Sequence, residues 1–374
     1  MASALLVPER PDEPVPKAML SMRAVVLREP GRLEVADIPA PALEPGEVMC
    51  EVAACGICGS DLRYLAGENP WAKHTLGFEK PNPPNMILGH EVSGVVAMDG
   101  GRVRASMLAF VACGQCSECL SGRSHLCRNT RHLGHGAGWE GREWDAGGMA
   151  ELMPIWRDNV YELPDHISFD EATFLDGLGV AVHAVSRAGP LAGERIVVLG
   201  GGPIGLLIIQ VALAGGAEAA LVADLYDAAL ECARMLGADM TVDGREVSPA
   251  EAVSVVRGWG RASRISAVFD TTGDLELQQQ ALEMLAPGGT LMLMAGAADR
   301  LVLTTAAMAG ERAVTTSSNN LREDFECGLE LMAAGKVVVG PMITHTFDLE
   351  DAVAAFDVAV RKHETGAIKV IIHP

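Results

Sequence analysis

The sequence predicts an α/β protein with two lobes, one rich in β-strands and one built on a doubly wound parallel sheet. Three observations support this fold class. Residues 22–65 alternate apolar and polar residues with a period of two, which is typical of strands. Residues 168–342 alternate short apolar runs with helix-like segments, which is typical of a parallel sheet covered by helices. A glycine-rich turn joins one of these apolar runs to the helix that follows it.

Length and charge limit the range of possible functions. The chain has 374 residues, which suggests two or three domains, and 49% of them are apolar, as in a globular protein. The formal net charge is −20. A surface this acidic repels phosphate backbones and anionic lipids, so we expect neither a nucleic-acid nor a membrane partner. Any anionic ligand then needs a local positive feature of the protein.

The N-terminus and the apolar segments bear on the cellular location. Residues 1–21 form a Pro-rich extension without the basic and long apolar regions of a signal peptide. The longest apolar stretch, residues 204–223, contains glycines, a glutamine and a glutamate, and so does not predict a membrane-spanning helix. We therefore expect a cytoplasmic protein, in which clustered cysteines bind metal more often than they form disulfides.

The glycine-rich turn has the pattern G-x-G-x-x-G. It consists of Gly200, Gly202, Pro203, Ile204 and Gly205, with one further glycine inside it. Its first glycine permits the tight turn, the second lets a pyrophosphate approach, and the third allows close packing of the helix, whose N-terminus binds phosphates. Asp224 ends the next apolar run and can bind a ribose diol; because no Arg or Lys follows it directly, the sequence favours NAD over NADP. A tight turn without a ligand is the alternative.

Four cysteines lie close together in the sequence and predict a metal site. They are Cys113, Cys116, Cys119 and Cys127. Four thiolates in a short loop match a closed tetrahedral zinc site, which has no position left for chemistry and would brace a loop-rich region. A disulfide pair or four unrelated thiols are the alternatives.

Other metal-ligand residue types are spread along the chain. Cys55 and Cys58 lie in the segment CGICGSD, which follows a strand-like run, and His90 and Glu91 open the next apolar run. Considered alone, the two cysteines could be a redox pair, and His90 could be a packed core histidine.

Together these motifs resemble the zinc-dependent medium-chain dehydrogenases, in their alcohol, polyol and threonine dehydrogenase branches. The resemblance extends from about Met22 to His373 and includes GICGSD, GHE, the four cysteines, GGMAE, FLDGLGVAVHAV, VLGGGPIGLL, LAPGG and GAIKV in order. It implies a GroES-like catalytic domain from residues 22–183 and 343–374, and a Rossmann NAD-binding domain over residues 184–342. It also implies a homodimer or homotetramer.

The resemblance assigns the ligands of a catalytic zinc. Cys58 and His90 match the first two ligands, whereas Cys55 matches a position that is not a ligand, which removes the redox-pair interpretation. The third position falls on Asp176, where polyol dehydrogenases usually carry Glu and classical alcohol dehydrogenases carry Cys. Glu91 is the second candidate for this position.

The resemblance also assigns the residues around the metal and the cofactor. Ser60 matches the hydroxyl that takes the substrate proton, and Asp61 matches the acid that holds the zinc-ligating histidine. Arg63 stands where many relatives have a proton-relaying histidine, and an arginine cannot carry a proton. Segments matching the family's nicotinamide and phosphate contacts contain Met294, Ala295, Gly296, Ser317, Ser318, Asn319 and Lys369.

The implied activity is a reversible oxidation of an alcohol by NAD, with one catalytic and one structural zinc. A secondary alcohol or polyol is the favoured substrate, and an amino-alcohol such as threonine is the second choice. A non-catalytic NAD-binding relative and a zinc-free quinone reductase are the alternatives. Segments 66–86 and 135–148, with Trp71, Trp139 and Trp144, either wall the substrate pocket or form surface loops.

Overall fold

The computed structural model describes residues 21–138, 144–259, 264–295 and 300–374. The predicted N-terminal extension up to Leu20, together with Trp139 and Gly296, lies outside the described residues.

The described residues contain strands in both lobes, with helices mainly in the second half of the chain. The strands are β1 (Ser21–Glu29), β2 (Arg32–Pro39), β3 (Glu47–Gly56), β4 (Met86–Ile87), β5 (Glu91–Met98), β6 (Gly101–Met107), β7 (Phe110–Val111), β8 (Arg131–His132), β9 (Leu152–Trp156), β10 (Val160–Glu162), β11 (Arg195–Leu199), β12 (Ala219–Asp224), β13 (Met240–Asp243), β14 (Ile265–Asp270), β15 (Thr290–Leu293), β16 (Ala313–Thr316), β17 (Ile343–Asp348) and β18 (Lys369–His373). The α-helices are α1 (Gly59–Leu65), α2 (Ser117–Leu120), α3 (Phe169–Ala172), α4 (Leu175–Ala188), α5 (Pro203–Ala214), α6 (Asp227–Met235), α7 (Pro249–Trp259), α8 (Leu275–Met284), α9 (Arg322–Ala333), α10 (Ala352–Val360) and α11 (Lys362–Thr365).

A seven-stranded sheet forms the centre of the β-rich lobe. Its order is β10-β6-β5-β3-β18-β17, with β9 pairing with β3 as well. Strand β18 runs antiparallel to β3 and parallel to β17. The sheet therefore joins strands within residues 47–162 to strands within residues 343–373. Both sets lie inside the two segments, 22–183 and 343–374, that the resemblance assigns to one domain; the exact domain boundaries stay a prediction.

A six-stranded parallel sheet forms the centre of the second lobe, called here the parallel-sheet lobe. Its order is β13-β12-β11-β14-β15-β16, and every neighbouring pair is parallel. Strands β11 and β14 are mainly apolar and almost wholly buried, as expected for strands covered on both faces. The strand order changes direction between β11 and β14, and ligands bind at the carboxyl ends of strands at such a point. The predicted α/β fold class is confirmed.

One segment differs from the prediction. Residues 59–65 lie within the stretch whose alternation predicts strands, but they form helix α1. The reason is local: the Asp61 carboxylate accepts a hydrogen bond from the Cys58 N–H (2.8 Å) and so caps the first turn. Within the described ranges, no helix is long and apolar enough to cross a membrane.

Candidate active site and metal centres

Cys58, His90 and Glu91 meet at the ends of two neighbouring strands. Cys58 follows β3, while His90 and Glu91 stand at the start of β5, which is antiparallel to β3 with Gly56 opposite Glu91. One ligand atom from each of the three residues lies within 4.8 Å of the other two. His90 and Glu91 are buried, and Cys58 is partly buried. The structure thus brings Cys58 together with two residues that lie more than thirty positions further along the sequence.

Asp176, in the first turn of α4, places a second carboxylate near this cluster, but it is not one of the three residues whose ligand atoms lie within 4.8 Å of one another. Its Oδ1 is shielded from solvent and has no hydrogen-bond partner among the described residues. Burial raises the pKa of Asp176 to about 6, and the neighbouring His90 acts in the opposite direction. Burial alone would lower the pKa of His90, but the charges of Cys58 and Asp61 raise it to about 10. These pKa shifts indicate a buried cluster of negatively charged groups, which favours a positive charge at its centre.

Asp61 holds the two backbone segments that carry the candidate ligands. Its carboxylate accepts hydrogen bonds from the N–H of Cys58 (2.8 Å) and from the N–H of Gly89 (3.2 Å). The Nδ1 atom of His90 lies 3.9 Å from the nearer Asp61 oxygen and has no hydrogen-bond partner in the described part of the chain. Asp61 is fully buried. Because it accepts hydrogen bonds from two backbone N–H groups, it fixes the loop geometry around the cluster.

Lys369 lies at the same cluster and not on the glycine-rich turn. It is 3% exposed and forms a buried ion pair with Glu91. Burial acts to lower the pKa of Lys369, but the negative charges of Glu91, Cys58 and Asp61 together outweigh it and raise the pKa. A Cβ atom on Gly56 would collide with the Glu91 carboxylate and lie 2.7 Å from Lys369 Cε, so glycine makes room for this pair. The phosphate contact predicted for Lys369 stays a prediction.

The chemistry of this cluster fits zinc. A thiolate, an imidazole and a carboxylate are ligands that zinc takes in catalytic sites, where a fourth position stays open. Buried polar atoms rarely lack partners, yet Ser60 Oγ and Asp176 Oδ1 have none among the described residues. A cation bound near Asp176, and a substrate hydroxyl bound near Ser60, would satisfy both atoms.

Two further histidines stand beside His90 and were missed from the sequence. The His135 ring centroid lies 4.3 Å from that of His90, and the His132 centroid lies 5.8 Å from it. Burial lowers the pKa of His132 to about 3, so this ring is neutral. The Tyr64 hydroxyl donates a hydrogen bond to the His135 carbonyl oxygen (2.6 Å), which anchors this loop. In the sequence these two histidines form the motif HLGH at residues 132–135, and this clustering of histidines could have indicated their place near the metal site.

Arg63 contacts the side chains of Glu68 and His74. Its Nε donates to a Glu68 carboxylate oxygen (3.0 Å), and one of its terminal nitrogens lies 3.5 Å from His74 Nε2. Trp71 and Ala137 pack in a small cluster of their own, so segments 66–86 and 135–148 contact each other. Trp144 instead lines an apolar cavity of about 430 Å³ beside Ile38 and Leu152, and none of the predicted site residues lines that cavity.

The four predicted cysteines form one compact group. Their sulfur atoms all lie within 4.8 Å of one another. The Sγ–Sγ distances include 3.5 Å for Cys116–Cys119, 3.8 Å for Cys116–Cys127 and 4.0 Å for Cys113–Cys119. A tetrahedron with zinc–sulfur bonds of about 2.3 Å has sulfur–sulfur edges of about 3.8 Å. All four cysteines are free thiols, so the disulfide alternative is wrong and the zinc geometry fits.

The glycine-rich turn has the geometry expected of a dinucleotide site. Gly200 has φ +101°, and a Cβ atom on Gly205 would collide with the Gly200 carbonyl oxygen. Helix α5 begins at Pro203, so the last three residues of the motif form the first turn of the helix. The Asp224 carboxylate accepts hydrogen bonds from the N–H of Gly201 (2.6 Å) and of Tyr226 (2.9 Å), which fixes it at the rim of the turn.

The predicted nicotinamide segments lie at the same edge of the parallel sheet. Met294 and Ala295 directly follow β15, and residues 317–319 directly follow β16. The Met294 N–H donates to the Asp270 carbonyl oxygen (2.8 Å). The side-chain amide of Asn320 lies 3.4 Å from the Asp176 carbonyl oxygen, so this edge is close to the candidate metal cluster.

Two family models match the chain. The alcohol dehydrogenase GroES-like domain matches residues 44–165, and the zinc-binding dehydrogenase domain matches residues 203–334.

Similar proteins cover almost the whole chain. An L-threonine 3-dehydrogenase from Saccharopolyspora erythraea is 30% identical over 348 residues, which cover 90% of this chain and 96% of that protein. A sorbitol dehydrogenase from Bacillus subtilis is 28% identical over 369 residues, covering 95% and 98%. The solved structure of an alcohol dehydrogenase from Thermus sp. ATN1 has a TM-score of 0.81 and 27% identity, covering 94% of this chain and 99% of that one. The predicted pairing of a GroES-like lobe with a Rossmann lobe is confirmed.

Proposed function

Because the chain belongs to the zinc-dependent medium-chain dehydrogenases, we propose that Cys58, His90 and a carboxylate hold its catalytic zinc. The observation behind this proposal is the buried group in which ligand atoms of Cys58, His90 and Glu91 lie within 4.8 Å of one another. Asp176 is our first choice for the third ligand, because its Oδ1 lacks a partner among the described residues, whereas Glu91 is already paired with Lys369. Glu91 is the alternative.

The protein is an enzyme that transfers hydride between an alcohol and NAD, with zinc as a second cofactor. Bound zinc supplies a Lewis acid that makes a substrate hydroxyl more acidic near neutral pH. Ser60 is our choice for the group that accepts the hydroxyl proton, a role supported by its Oγ being shielded and without a partner in the described ranges. Arg63 cannot pass the proton on, because a guanidinium stays protonated. The proton then leaves through the cofactor ribose, water or another group.

The dinucleotide is proposed to bind along the glycine-rich turn. The N–H groups at the start of α5 would face the pyrophosphate, and Asp224 would bind the adenosine ribose. The nicotinamide would lie near Met294, Ala295 and residues 317–319, at the sheet edge that is close to Asp176. A cytoplasmic location and a homodimeric or homotetrameric assembly stay predictions from the sequence.

We propose a secondary alcohol or polyol as the substrate. The carboxylate at position 176 replaces the thiolate of the classical alcohol dehydrogenases, which leaves the metal harder and better suited to hydroxyl-rich ligands. The similarity to a sorbitol dehydrogenase supports this choice. The similarity to an L-threonine 3-dehydrogenase makes an amino-alcohol the second candidate.

A substrate screen with NAD reduction as the readout tests this proposal. Secondary alcohols, polyols, amino-alcohols and primary alcohols are compared by kcat/KM on one zinc-loaded preparation. We expect a polyol or another vicinal hydroxy compound to exceed ethanol at least about tenfold, roughly 1.4 kcal/mol of transition-state discrimination. A preference for threonine would support the second candidate, and a preference for short primary alcohols would contradict both.

The four-cysteine group is proposed to bind a structural zinc. Replacing Cys116 by Ser is expected to remove one zinc per chain and to lower stability by several kcal/mol, because metal binding contributes folding free energy. Zinc content and the melting temperature are measured together, with Cys327→Ser, a partly buried cysteine outside the group, as the matched control. An unchanged zinc content and melting temperature in the Cys116 variant would refute the structural site.

A further inference from the structure

A lysine from the β-rich lobe faces the glycine-rich turn of the parallel-sheet lobe. A small cleft is lined on one side by the turn and Asp224, and on the other side by Lys362 and the segment 366–368. Lys362 opens the short helix α11, which leads through Gly366 into β18. Gly366 has φ +69°, and a Cβ atom there would lie 3.7 Å from Ala228 Cβ, so the two lobes approach closely here.

Lys362 is the positively charged side chain of this segment that has no ion-pair partner among the described residues. The neighbouring Arg361 is paired with Asp357 (3.1 Å) and Glu364 (3.5 Å), and His363 lies 3.2 Å from Glu364. The exposed Lys362 side chain has neither an ion pair nor a hydrogen bond with any described residue. A chain with a net charge of −20 thus places an unpaired positive charge beside its candidate phosphate-binding turn.

Asp224 and Lys362 carry opposite charges in this cleft, and both charges affect the choice between NAD and NADP. Asp224 can bind the 2′- and 3′-hydroxyls of NAD, and its charge repels the 2′-phosphate of NADP. A lysine across the same cleft attracts phosphate groups as a compact point charge. Neither the residue after Asp224 nor the next one, Tyr226, supplies this positive charge.

We propose that Lys362 is a cofactor-binding residue that contacts the adenosine half of the dinucleotide from the opposite lobe. Together with Asp224 it sets the discrimination between NAD and NADP. Lys362 attracts the 2′-phosphate of NADP, but the negative charge of Asp224 repels that phosphate and outweighs the attraction. This inference rests on the proposed placement of the dinucleotide along the glycine-rich turn. The sequence next to Asp224 gives no sign of this role for Lys362, because the two residues are 138 positions apart.

The test is a double-mutant cycle on the zinc-loaded enzyme, with dissociation constants for NAD and NADP measured by calorimetry. Lys362→Ala is expected to weaken NAD binding about fivefold to tenfold, less than the loss of a buried charge-assisted hydrogen bond, because the lysine is exposed and its charge is screened. Asp224→Ser is expected to strengthen NADP binding at least about tenfold, and adding Lys362→Ala should cancel most of that gain. Lys362→Arg should keep the wild-type pattern, and the loss caused by Lys362→Ala should shrink as salt rises from about 0.05 M to 0.5 M.

Two control variants separate the possible failures. Lys336→Ala removes an exposed lysine outside this cleft and should leave both dissociation constants unchanged. A Cβ atom on Gly202 would meet no protein atom within 4 Å, so Gly202→Ala intrudes only on a ligand at the turn and should weaken NAD binding. Unchanged NAD binding in Gly202→Ala would overturn the placement of the dinucleotide. Weakened binding there, with Lys362→Ala matching Lys336→Ala in both backgrounds, would overturn the role of Lys362 alone.

Discussion

Replacing Cys58 by Ser is expected to lower kcat at least about a thousandfold, roughly 4 kcal/mol in activation free energy, because it removes a ligand of the catalytic zinc. The fold should survive, since the Asp61 carboxylate that caps α1 bonds the Cys58 backbone and not its thiol. NAD binding should stay within about twofold of the wild type, because the glycine-rich turn lies in the other lobe. The measurements are kcat on the best substrate, zinc content and the NAD dissociation constant.

The matched control for this variant is Cys50→Ala. Cys50 is a fully buried cysteine on the same strand, β3, but it lies outside the metal cluster. This control should lose some stability through the small cavity but keep both zinc ions and most of the turnover. Turnover retained in a Cys58 variant that has lost one zinc would contradict the proposed mechanism.

Replacing Lys369 by Met is expected to lower the free energy of unfolding by about 3–5 kcal/mol, because it leaves Glu91 as an unpaired buried charge. The pair is almost inaccessible, with the two side chains 3% and 6% exposed. Water therefore cannot replace the lost ammonium group without opening the site. Denaturant unfolding of the zinc-loaded protein measures the change, and Lys336→Met serves as the exposed control.

The double variant Glu91→Gln/Lys369→Met distinguishes a lost pair from a general packing defect. Removing the carboxylate charge as well should restore part of the stability, so the double variant should unfold at higher denaturant than Lys369→Met alone. If the double variant is as unstable as the sum of the two single changes, the Glu91–Lys369 interaction is not the source of the loss.

Features that depend on neighbouring residues could be predicted from the sequence. The glycine-rich turn, the four-cysteine group and the strand–helix alternation are local patterns, and each is found where the sequence predicted it. The approach of Cys58 to His90 needed the family resemblance, because only the pairing of β3 with β5 brings them together. Helix α1 was missed because one capping carboxylate decides between helix and strand in that segment.

Contacts between distant segments could not be predicted from local patterns. Lys369 and Glu91 are 278 residues apart, and nothing in the surrounding sequence signals that they pair. The position of Lys362 opposite the glycine-rich turn depends on how the segment after α10 returns to the other lobe. The rings of His132 and His135 contact His90 because Gly134, which lies between them, packs directly against Gly89.

The late arrival of β18 has a consequence for synthesis of the protein on the ribosome. Strands β3 and β5 emerge early, but β17 begins about 245 residues after the end of β5 and β18 about 270 residues after it, once the whole six-stranded sheet has been made. The end of β3 pairs with Ile371, about 315 residues later, so at about 5–20 residues per second it waits roughly 15–60 s for its partner. During that interval a strand edge is open and Glu91 has no Lys369 to neutralise it. The nascent chain should therefore be most prone to aggregation, and most dependent on chaperones, while its parallel-sheet lobe is being made.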